Sequence, residues 1–228
     1  MAALLTRWWW IRHAPVPDGG FIYGQRDLDC DCGDAEVFAT LARELPADAV
    51  WLTSNLVRTR QTAAAILAAA AEGRHGAIEP LAVPDLAEQH LGEWQGLERR
   101  AFYESRRIGT HTLWFAAADE RPPGGESFAD LTARVFPAIE RVNGEHGGRD
   151  IVAVTHGGTI RSALALALAV PLQTALAFTV ENCSLTRLDH LATDDGPGMW
   201  RVVAVNHRPW SRPGETLVGP GPARIDRA

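Results

Sequence analysis

The sequence is poor in cysteine, and the few cysteines it has do not form a recognisable set. There are three, Cys30, Cys32 and Cys183, with neither Cys-x-x-Cys spacing nor a zinc-type pairing. A disulfide scaffold or a zinc knuckle would need such a set. We therefore expect a protein of the reducing cytoplasm.

Long hydrophobic runs are also missing. The longest apolar run, SALALALAVPL from Ser162, is too short to span a bilayer and predicts a buried helix instead. The N-terminal segment MAALLTRWWWIRHAP is interrupted by Arg7 and lacks a small-residue cleavage pattern, so it is a poor signal peptide. We expect no membrane partner from these segments.

The chain has no excess of positive charge. Its formal net charge is −6, and its isoelectric point is near 5.7. A surface that binds nucleic acid or an anionic membrane would need clustered lysine and arginine. We expect neither partner, and an anionic ligand would have to bind in a local pocket of positive charge.

Apolar segments and helical patterns alternate along the 228 residues, 46% of which are hydrophobic. This alternation predicts an α/β fold: a single-domain three-layer αβα sandwich with a mostly parallel central sheet. Strands are predicted at about 6–12, 49–53, 78–83, 150–155, 178–188 and 200–206. Helices are predicted near 34–45, 56–72, 112–118, 127–145 and 158–169. A domain of residues 1–208 is predicted to precede a Pro-, Gly- and Arg-rich tail, 209–228.

Charged residues follow four of the predicted strands. The strands lead into IRHAP, LTSNLVRTRQTA, DLAEQHLGEWQGL and VAVTHGGTIR. Ligands of open α/β sheets bind beyond the carboxyl ends of the strands, so these segments are expected to share one rim. The side chains brought to that rim are Arg12, His13, Arg58, Glu88 and His156.

These residue types suit phosphoryl transfer. Arginine forks match phosphate oxygens, which makes Arg12 and Arg58 candidates for binding a phosphoryl group. A neutral histidine can attack phosphorus, and a carboxyl group such as Glu88 can protonate the leaving group and then deprotonate water. A second histidine, if protonated, adds positive charge where negative charge develops in the transition state.

Five motifs occur together along the chain. They are RHA at 12–14, SNLVRTRQTA at 54–63, EQHLGEWQG at 88–96, PGGES at 123–127 and THGG at 155–158. In this order they resemble the histidine phosphatase superfamily, in the branch of cofactor-dependent phosphoglycerate mutase and α-ribazole phosphatase. The resemblance covers about residues 6–190 and implies a phosphoglycerate mutase-like fold.

The resemblance also implies roles for individual residues. His13 is implied as the phosphoryl acceptor, and Glu88 as the proton donor and acceptor. The phosphate pocket is implied to consist of Arg12, Arg58, His156 and Gly157. YGQRDLD at 23–29 is similar to a segment that borders the substrate, which adds Gln25 and Arg26 as substrate-binding candidates. Neither a metal nor a cofactor is implied.

Some positions depart from the family pattern or leave an alternative open. Ala14 stands where the family usually has glycine, and PVPDGG replaces the usual residues of the following loop. Glu93 competes with Glu88 for the proton-transfer role. His90 is interpreted as structural, although it lies two residues after Glu88.

The resulting functional prediction is a metal-independent phosphomonoesterase that acts on a small phosphorylated metabolite. The short segment 97–122 resembles α-ribazole phosphatase, a late enzyme of cobalamin nucleotide-loop assembly, more than a mutase, whose insertion there is longer. α-Ribazole 5′-phosphate is therefore the leading substrate hypothesis. The alternatives are a cofactor-dependent phosphoglycerate mutase and a non-catalytic phosphoester-binding module. The oligomeric state is left open, with a homodimer as one alternative.

Overall fold

One six-stranded sheet forms the centre of the protein in a computed structural model that describes residues 4–70, 78–106, 114–193 and 196–211. The strands are β1 (Leu5–Arg12), β2 (Ala49–Thr53), β3 (Leu81–Ala82), β4 (Asp150–Thr155), β5 (Leu185–Thr193) and β6 (Gly196–His207). Across the sheet their order is β3-β2-β4-β1-β5-β6. The first four run parallel, and β5 and β6 are antiparallel additions. The prediction of a mostly parallel sheet is confirmed.

Helices cover both faces of this sheet. They are α1 (Ala35–Glu44), α2 (Val57–Ala69), α3 (Arg99–Ser105), α4 (Phe128–His146), α5 (Gly157–Leu168) and α6 (Leu172–Ala175). α4 and α5 bury one face together with Trp8 and Trp10. α1 and α2 bury the other face together with Trp51. The predicted three-layer αβα arrangement is confirmed.

The tryptophan run of β1 explains how the strand is fixed in the sheet. Side chains alternate between the two faces of a strand. Trp8 and Trp10 therefore point to one face, where their rings stack with centroids 4.6 Å apart. Ile11 points to the opposite face and is fully buried there. Because β1 pairs with β4 on one side and β5 on the other, the residues at its carboxyl end are held rigidly.

Two predicted strands differ from the structure. The strand predicted at 78–83 is reduced to Leu81–Ala82. The strand predicted at 178–188 begins only at Leu185. Its first part is not paired in the sheet, because the carbonyl groups of Phe178 and Val180 accept hydrogen bonds from arginine side chains.

The helix predicted at 112–118 is wrong in the part that can be compared. Residues 114–118 form bends and turns, and residues 112–113 lie outside the described ranges. The short helices α3 and α6 were not predicted, because seven and four residues carry too little periodicity. The tail predicted at 209–228 stays a prediction, since residues 212–228 lie outside the described ranges.

None of the helices within the described ranges is long and apolar enough to cross a membrane. The three cysteines carry free thiols. Cys30 and Cys32 lie close together, with their sulfur atoms 3.6 Å apart.

Candidate active site

His13 follows the last residue of β1 and is completely buried. Its ring Nδ1 lies 2.7 Å from the carbonyl oxygen of Ala14. A carbonyl only accepts hydrogen bonds, so Nδ1 carries the proton and donates it, which leaves the lone pair on Nε2. Nε2 is buried and has no hydrogen-bond partner in the described protein. The edge of the sheet thus presents a histidine whose unprotonated ring nitrogen has no hydrogen-bond partner in the described protein.

The second motif holds the first in place. Thr62, on α2, accepts a hydrogen bond from the backbone N–H of Ala14 at 2.8 Å. The Thr62 hydroxyl in turn donates to the carbonyl oxygen of Arg58. Ala14 is fully buried at this junction, so the small residue that replaces the family's glycine keeps the close approach of the two segments.

Arg58 and Arg12 supply the positive charge of the site. Arg58 lies in the first turn of α2 and is fully buried, and its two terminal nitrogens donate to the carbonyl oxygens of Gly24 and Arg26 at 2.7 and 2.8 Å. Arg12 ends β1 and donates to the carbonyl oxygen of Val180 at 2.7 Å. The Nε atoms of Arg12 and Arg58 are buried without a hydrogen-bond partner in the described protein. Hydrogen bonds to carbonyl oxygens fix both guanidinium groups, and the Nε–H of each remains able to donate to a ligand.

His156 comes from the end of β4 and caps the start of α5. Its ring centroid lies 5.2 Å from that of His13. Its Nε2 is 2.8 Å from the hydroxyl oxygen of Ser54, whereas its buried Nδ1 has no hydrogen-bond partner in the described protein. Two histidines and two arginines therefore converge with four unpaired buried nitrogens.

Both histidines are neutral at neutral pH in this environment. Burial, followed by the charges of Arg12 and Arg58, holds the pKa of His13 well below 6.5. Burial also lowers the pKa of His156, and the charges of Arg58 and Arg12 lower it further. A neutral His13 is the form that can attack phosphorus. The expected protonated second histidine requires the negative charge of a bound phosphoryl group to offset the arginines.

Glu88 reaches the same site from the loop after β3. One of its carboxylate oxygens accepts hydrogen bonds from the backbone N–H groups of Gln89 at 3.0 Å and Gly158 at 3.1 Å. A Cβ at Gly158 would lie 2.3 Å from that oxygen, so a side chain there would displace the Glu88 carboxylate. The amino end of α5 therefore binds the Glu88 carboxylate through Gly158. Its rival Glu93 is exposed in a separate short 3₁₀ turn.

A partly buried ion pair fixes the backbone of Glu88. Arg134, on α4, pairs with Glu126 of the PGGES motif through two hydrogen bonds of 2.9 Å. The same guanidinium donates to the carbonyl oxygen of Glu88 at 2.8 Å and to those of Asp85 and Ala87. Burial raises the pKa of Glu126, but its hydrogen bonds with Arg134 and His90 outweigh that effect and lower it. PGGES therefore acts by holding the loop that carries Glu88.

The segment 23–29 supports other residues of the site, and the prediction that Gln25 and Arg26 bind the substrate stays a prediction. Gln25 donates from its side-chain amide to the Glu88 carbonyl oxygen at 2.7 Å, so it supports the site. Arg26 contributes its carbonyl oxygen to Arg58, while its side chain is exposed. Gly157 lies beside Arg12: a Cβ there would be 3.7 Å from the Arg12 Nε.

Several residues around the site were not identified from the sequence. Ser54 lies within the quoted SNLVRTRQTA motif, and its position ahead of Arg58 was the available signal. Tyr23 packs under the Arg58 guanidinium, 5.1 Å from the ring centroid. Arg161, Tyr103 and Trp114 come from distant parts of the chain, and only the fold brings them together. No group of three or more histidine, cysteine or acidic side chains in the described ranges is arranged to hold a metal ion.

The sequence profile of the histidine phosphatase superfamily, branch 1, matches residues 11–207. This span includes all five motifs and every residue of the site. The chain belongs to the histidine phosphatase superfamily. Its fold is that of the native structure of mycobacterial glucosyl-3-phosphoglycerate phosphatase, with a TM-score of 0.74 and 26% identity over 88% of this chain and 98% of that chain.

Curated members of the superfamily differ in what their names say they act on. Glucosyl-3-phosphoglycerate phosphatase of Mycolicibacterium vanbaalenii is 29% identical over 82% of this chain and 88% of its own length. Adenosylcobalamin/alpha-ribazole phosphatase of Salmonella typhimurium is 29% identical over 69% of this chain and 74% of its own length. Phosphoglycerate mutase-like protein 4 of Arabidopsis thaliana is 34% identical over 60% of this chain and 60% of its own length. The chain spans about half the length of several other curated relatives.

The two buried neutral histidines predict a loss of stability in acid. In the unfolded chain a histidine binds a proton below about pH 6.5, whereas His13 and His156 stay neutral in the fold until the pH is lower. The free energy of unfolding should therefore fall by about 1.4 kcal/mol per pH unit for each of them below pH 6.5. Urea titrations in phosphate-free buffer between pH 7 and 5 measure this slope.

The matched comparison uses His13→Asn. The two histidines together cause one part of the dependence of the free energy of unfolding on pH, and this variant should remove about half of that part. His207→Ala, at an exposed position, is the control for losing a histidine outside the site. An unchanged slope in His13→Asn would contradict the neutral, buried state of His13.

Proposed function

We propose that this histidine phosphatase superfamily member is a metal-independent phosphomonoesterase that works through a phosphohistidine at His13. The observation that carries the proposal is the Nε2 atom of His13, which is buried and has no partner while Nδ1 is tied to Ala14. An unpaired buried acceptor costs stability, so its presence calls for a functional explanation. Its position among Arg12, Arg58 and His156 supports a role as nucleophile toward a phosphoryl group.

The first step transfers the phosphoryl group to the enzyme. The lone pair of His13 Nε2 attacks phosphorus, and the bond from phosphorus to the leaving oxygen breaks. Glu88, protonated for this step, gives its proton to that oxygen and so releases an alcohol. Arg12 and Arg58 bind the equatorial oxygens, and His156 adds a hydrogen bond from its unpaired Nδ1 once it is protonated.

The second step returns the enzyme to its starting state. The Glu88 carboxylate takes a proton from water as the water oxygen attacks phosphorus. The bond from phosphorus to Nε2 breaks, and the electron pair returns to His13. Inorganic phosphate leaves, and Glu88 is protonated again for the next substrate. Because both steps use the same carboxyl group, the rigid hold of Arg134 on the Glu88 backbone supports this assignment.

The substrate is proposed to be a small phosphorylated metabolite. α-Ribazole 5′-phosphate stays a candidate, supported by the Salmonella relative and by the short segment 97–122, of which residues 107–113 lie outside the described ranges. Glucosyl-3-phosphoglycerate is a second candidate, because the relative named for it aligns with more of the chain. The free thiols of the three cysteines support the proposed cytoplasmic location.

Turnover of p-nitrophenyl phosphate with EDTA present tests metal-independent hydrolysis. We expect the wild-type rate to change by less than about 2-fold when EDTA is added, because side chains alone supply the nucleophile, the positive charge and the proton. Loss of activity that returns on adding back a divalent metal would contradict the proposal. A phosphoglycerate mutase would instead transfer the phosphoryl group between phosphoglycerates and be stimulated by a bisphosphoglycerate. A binding module would show no turnover at all.

A further inference from the structure

Arg161, in the second turn of α5, is a third arginine beside the site that the phosphoryl-transfer steps do not use. It is only 7% exposed. Its Nε donates to the carbonyl oxygen of Phe178 at 2.8 Å, and its guanidinium carbon lies 4.3 Å from the ring centroid of Trp114. Within the described ranges its two terminal amino groups donate no hydrogen bond and no carboxylate forms an ion pair with it. Its polar end is therefore held in one orientation with two donors unused.

A buried guanidinium without a carboxylate is costly. Removing a charge from water is compensated only when the charge is paired and hydrogen-bonded. Burial, followed by the charge of Arg12, lowers the pKa of Arg161 to about 10, so the group remains cationic at neutral pH. Like the unpaired Nε–H of Arg12, this feature is expected where an anionic group binds.

Arg161 lies next to Arg12 and to a cluster of aromatic side chains. Its Nη1 and the Nε of Arg12 lie 3.1 and 3.7 Å from the place that a Cβ of Gly157 would occupy. The Trp114 ring packs against Phe115, and the Phe115 ring stacks on Tyr103 with centroids 5.3 Å apart. Arg161 thus lies next to the phosphate-binding Arg12, toward the aromatic side chains of Tyr103 and Trp114.

We propose that Arg161 binds a carboxylate of the substrate next to the phosphoryl group, and so selects phosphomonoesters that carry this second anion. The proposal rests on the phosphatase function proposed above and concerns its substrate class. The unused donors belong to a planar fork, which matches the two oxygens of a carboxylate. α-Ribazole 5′-phosphate has no carboxylate, so this assignment ranks it below phosphorylated hydroxy acids such as glycerate esters.

A matched pair of substrates isolates the carboxylate. 3-Phosphoglycerate and glycerol 3-phosphate share a three-carbon skeleton, and only the first has a carboxylate. In Arg161→Met, we expect kcat/KM for 3-phosphoglycerate to fall about 10- to 100-fold, mainly through KM. For glycerol 3-phosphate we expect a change of less than about 3-fold, because no charge-assisted bond is lost. Arg161→Lys keeps the charge without the fork and should give an intermediate loss on 3-phosphoglycerate.

Arg141→Met, at a half-exposed arginine of α4, is the matched control and should change neither substrate. Equal losses on both substrates in Arg161→Met would overturn the proposal, because they would indicate that Arg161 binds the shared phosphoryl group or has a purely structural role. The wild-type enzyme gives a second test that needs no variant: it should prefer 3-phosphoglycerate by at least about 10-fold in kcat/KM. No preference would overturn the assignment of Arg161 while leaving the phosphatase function intact. Failure of the wild type to hydrolyse p-nitrophenyl phosphate would overturn the phosphatase function itself.

Discussion

Replacing His13 with alanine should lower kcat for p-nitrophenyl phosphate by about 10,000-fold or more. The reason is that the variant loses the unpaired Nε2 to which the attack on phosphorus is assigned. His156 is the only other histidine of the described site; its Nε2 is hydrogen-bonded to Ser54, and its Nδ1 is assigned to donate a hydrogen bond to the phosphoryl group. Steady-state release of p-nitrophenol with EDTA present measures the effect.

Two controls make this loss interpretable. His207→Ala, at an exposed position, should keep the wild-type rate. Binding of inorganic phosphate to His13→Ala, measured by isothermal titration calorimetry, should persist because both arginines remain in place. Activity of His13→Ala within about 10-fold of the wild type would exclude His13 as the nucleophile.

Glu88→Gln should lower kcat/KM for an alkyl phosphate such as glycerol 3-phosphate by about 100- to 10,000-fold. An alkoxide is a poor leaving group and needs a proton from Glu88. p-Nitrophenolate leaves without that proton, so the first step should survive in the variant while water attack on the phosphohistidine is slowed. A rapid burst of about one equivalent of p-nitrophenol per enzyme should then precede a slow steady state.

Glu93→Gln provides the matched control, because it makes the same change at the exposed rival carboxylate five residues on. It should show wild-type rates on both substrates and no burst. If Glu93→Gln showed the loss and Glu88→Gln did not, the assignment made from the Gly158 contact would be wrong. Stopped-flow absorbance at the p-nitrophenolate band distinguishes the two outcomes.

Much of the architecture could be predicted from the sequence because its signals are local. The three tryptophans and Ile11, which precede Arg12, predict a buried central strand, and β1 of the structure ends at Arg12. The helix that contains Arg58 and the helix that follows His156 were also predicted, since their apolar patterns extend over several turns. At 114–118, the described part of the helix predicted at 112–118, the prediction was wrong because aromatic side chains pack against Arg161 and α3 rather than forming a helical face.

The candidate site was predictable in its residues but not in its connections. The order of the strands brings Arg12, His13, Arg58, Glu88 and His156 together, as the rule for open α/β sheets predicts. The sequence did not indicate that Glu88 would be bound by the Gly158 N–H, or that Arg134 and Glu126 would hold its loop. Glu88 is 46 positions from Arg134 and 70 positions from Gly158, so no single motif contains both partners of either contact.

The most direct test of the central claim is to trap the phosphoryl group on the enzyme. Glu88→Gln is mixed with p-nitrophenyl phosphate, quenched in alkali within the burst, digested and analysed by mass spectrometry. We predict one phosphoryl group per enzyme, stable in alkali and labile in acid, on the peptide that contains His13. A burst without this adduct, or a phosphoryl group on any other residue, would contradict the mechanism.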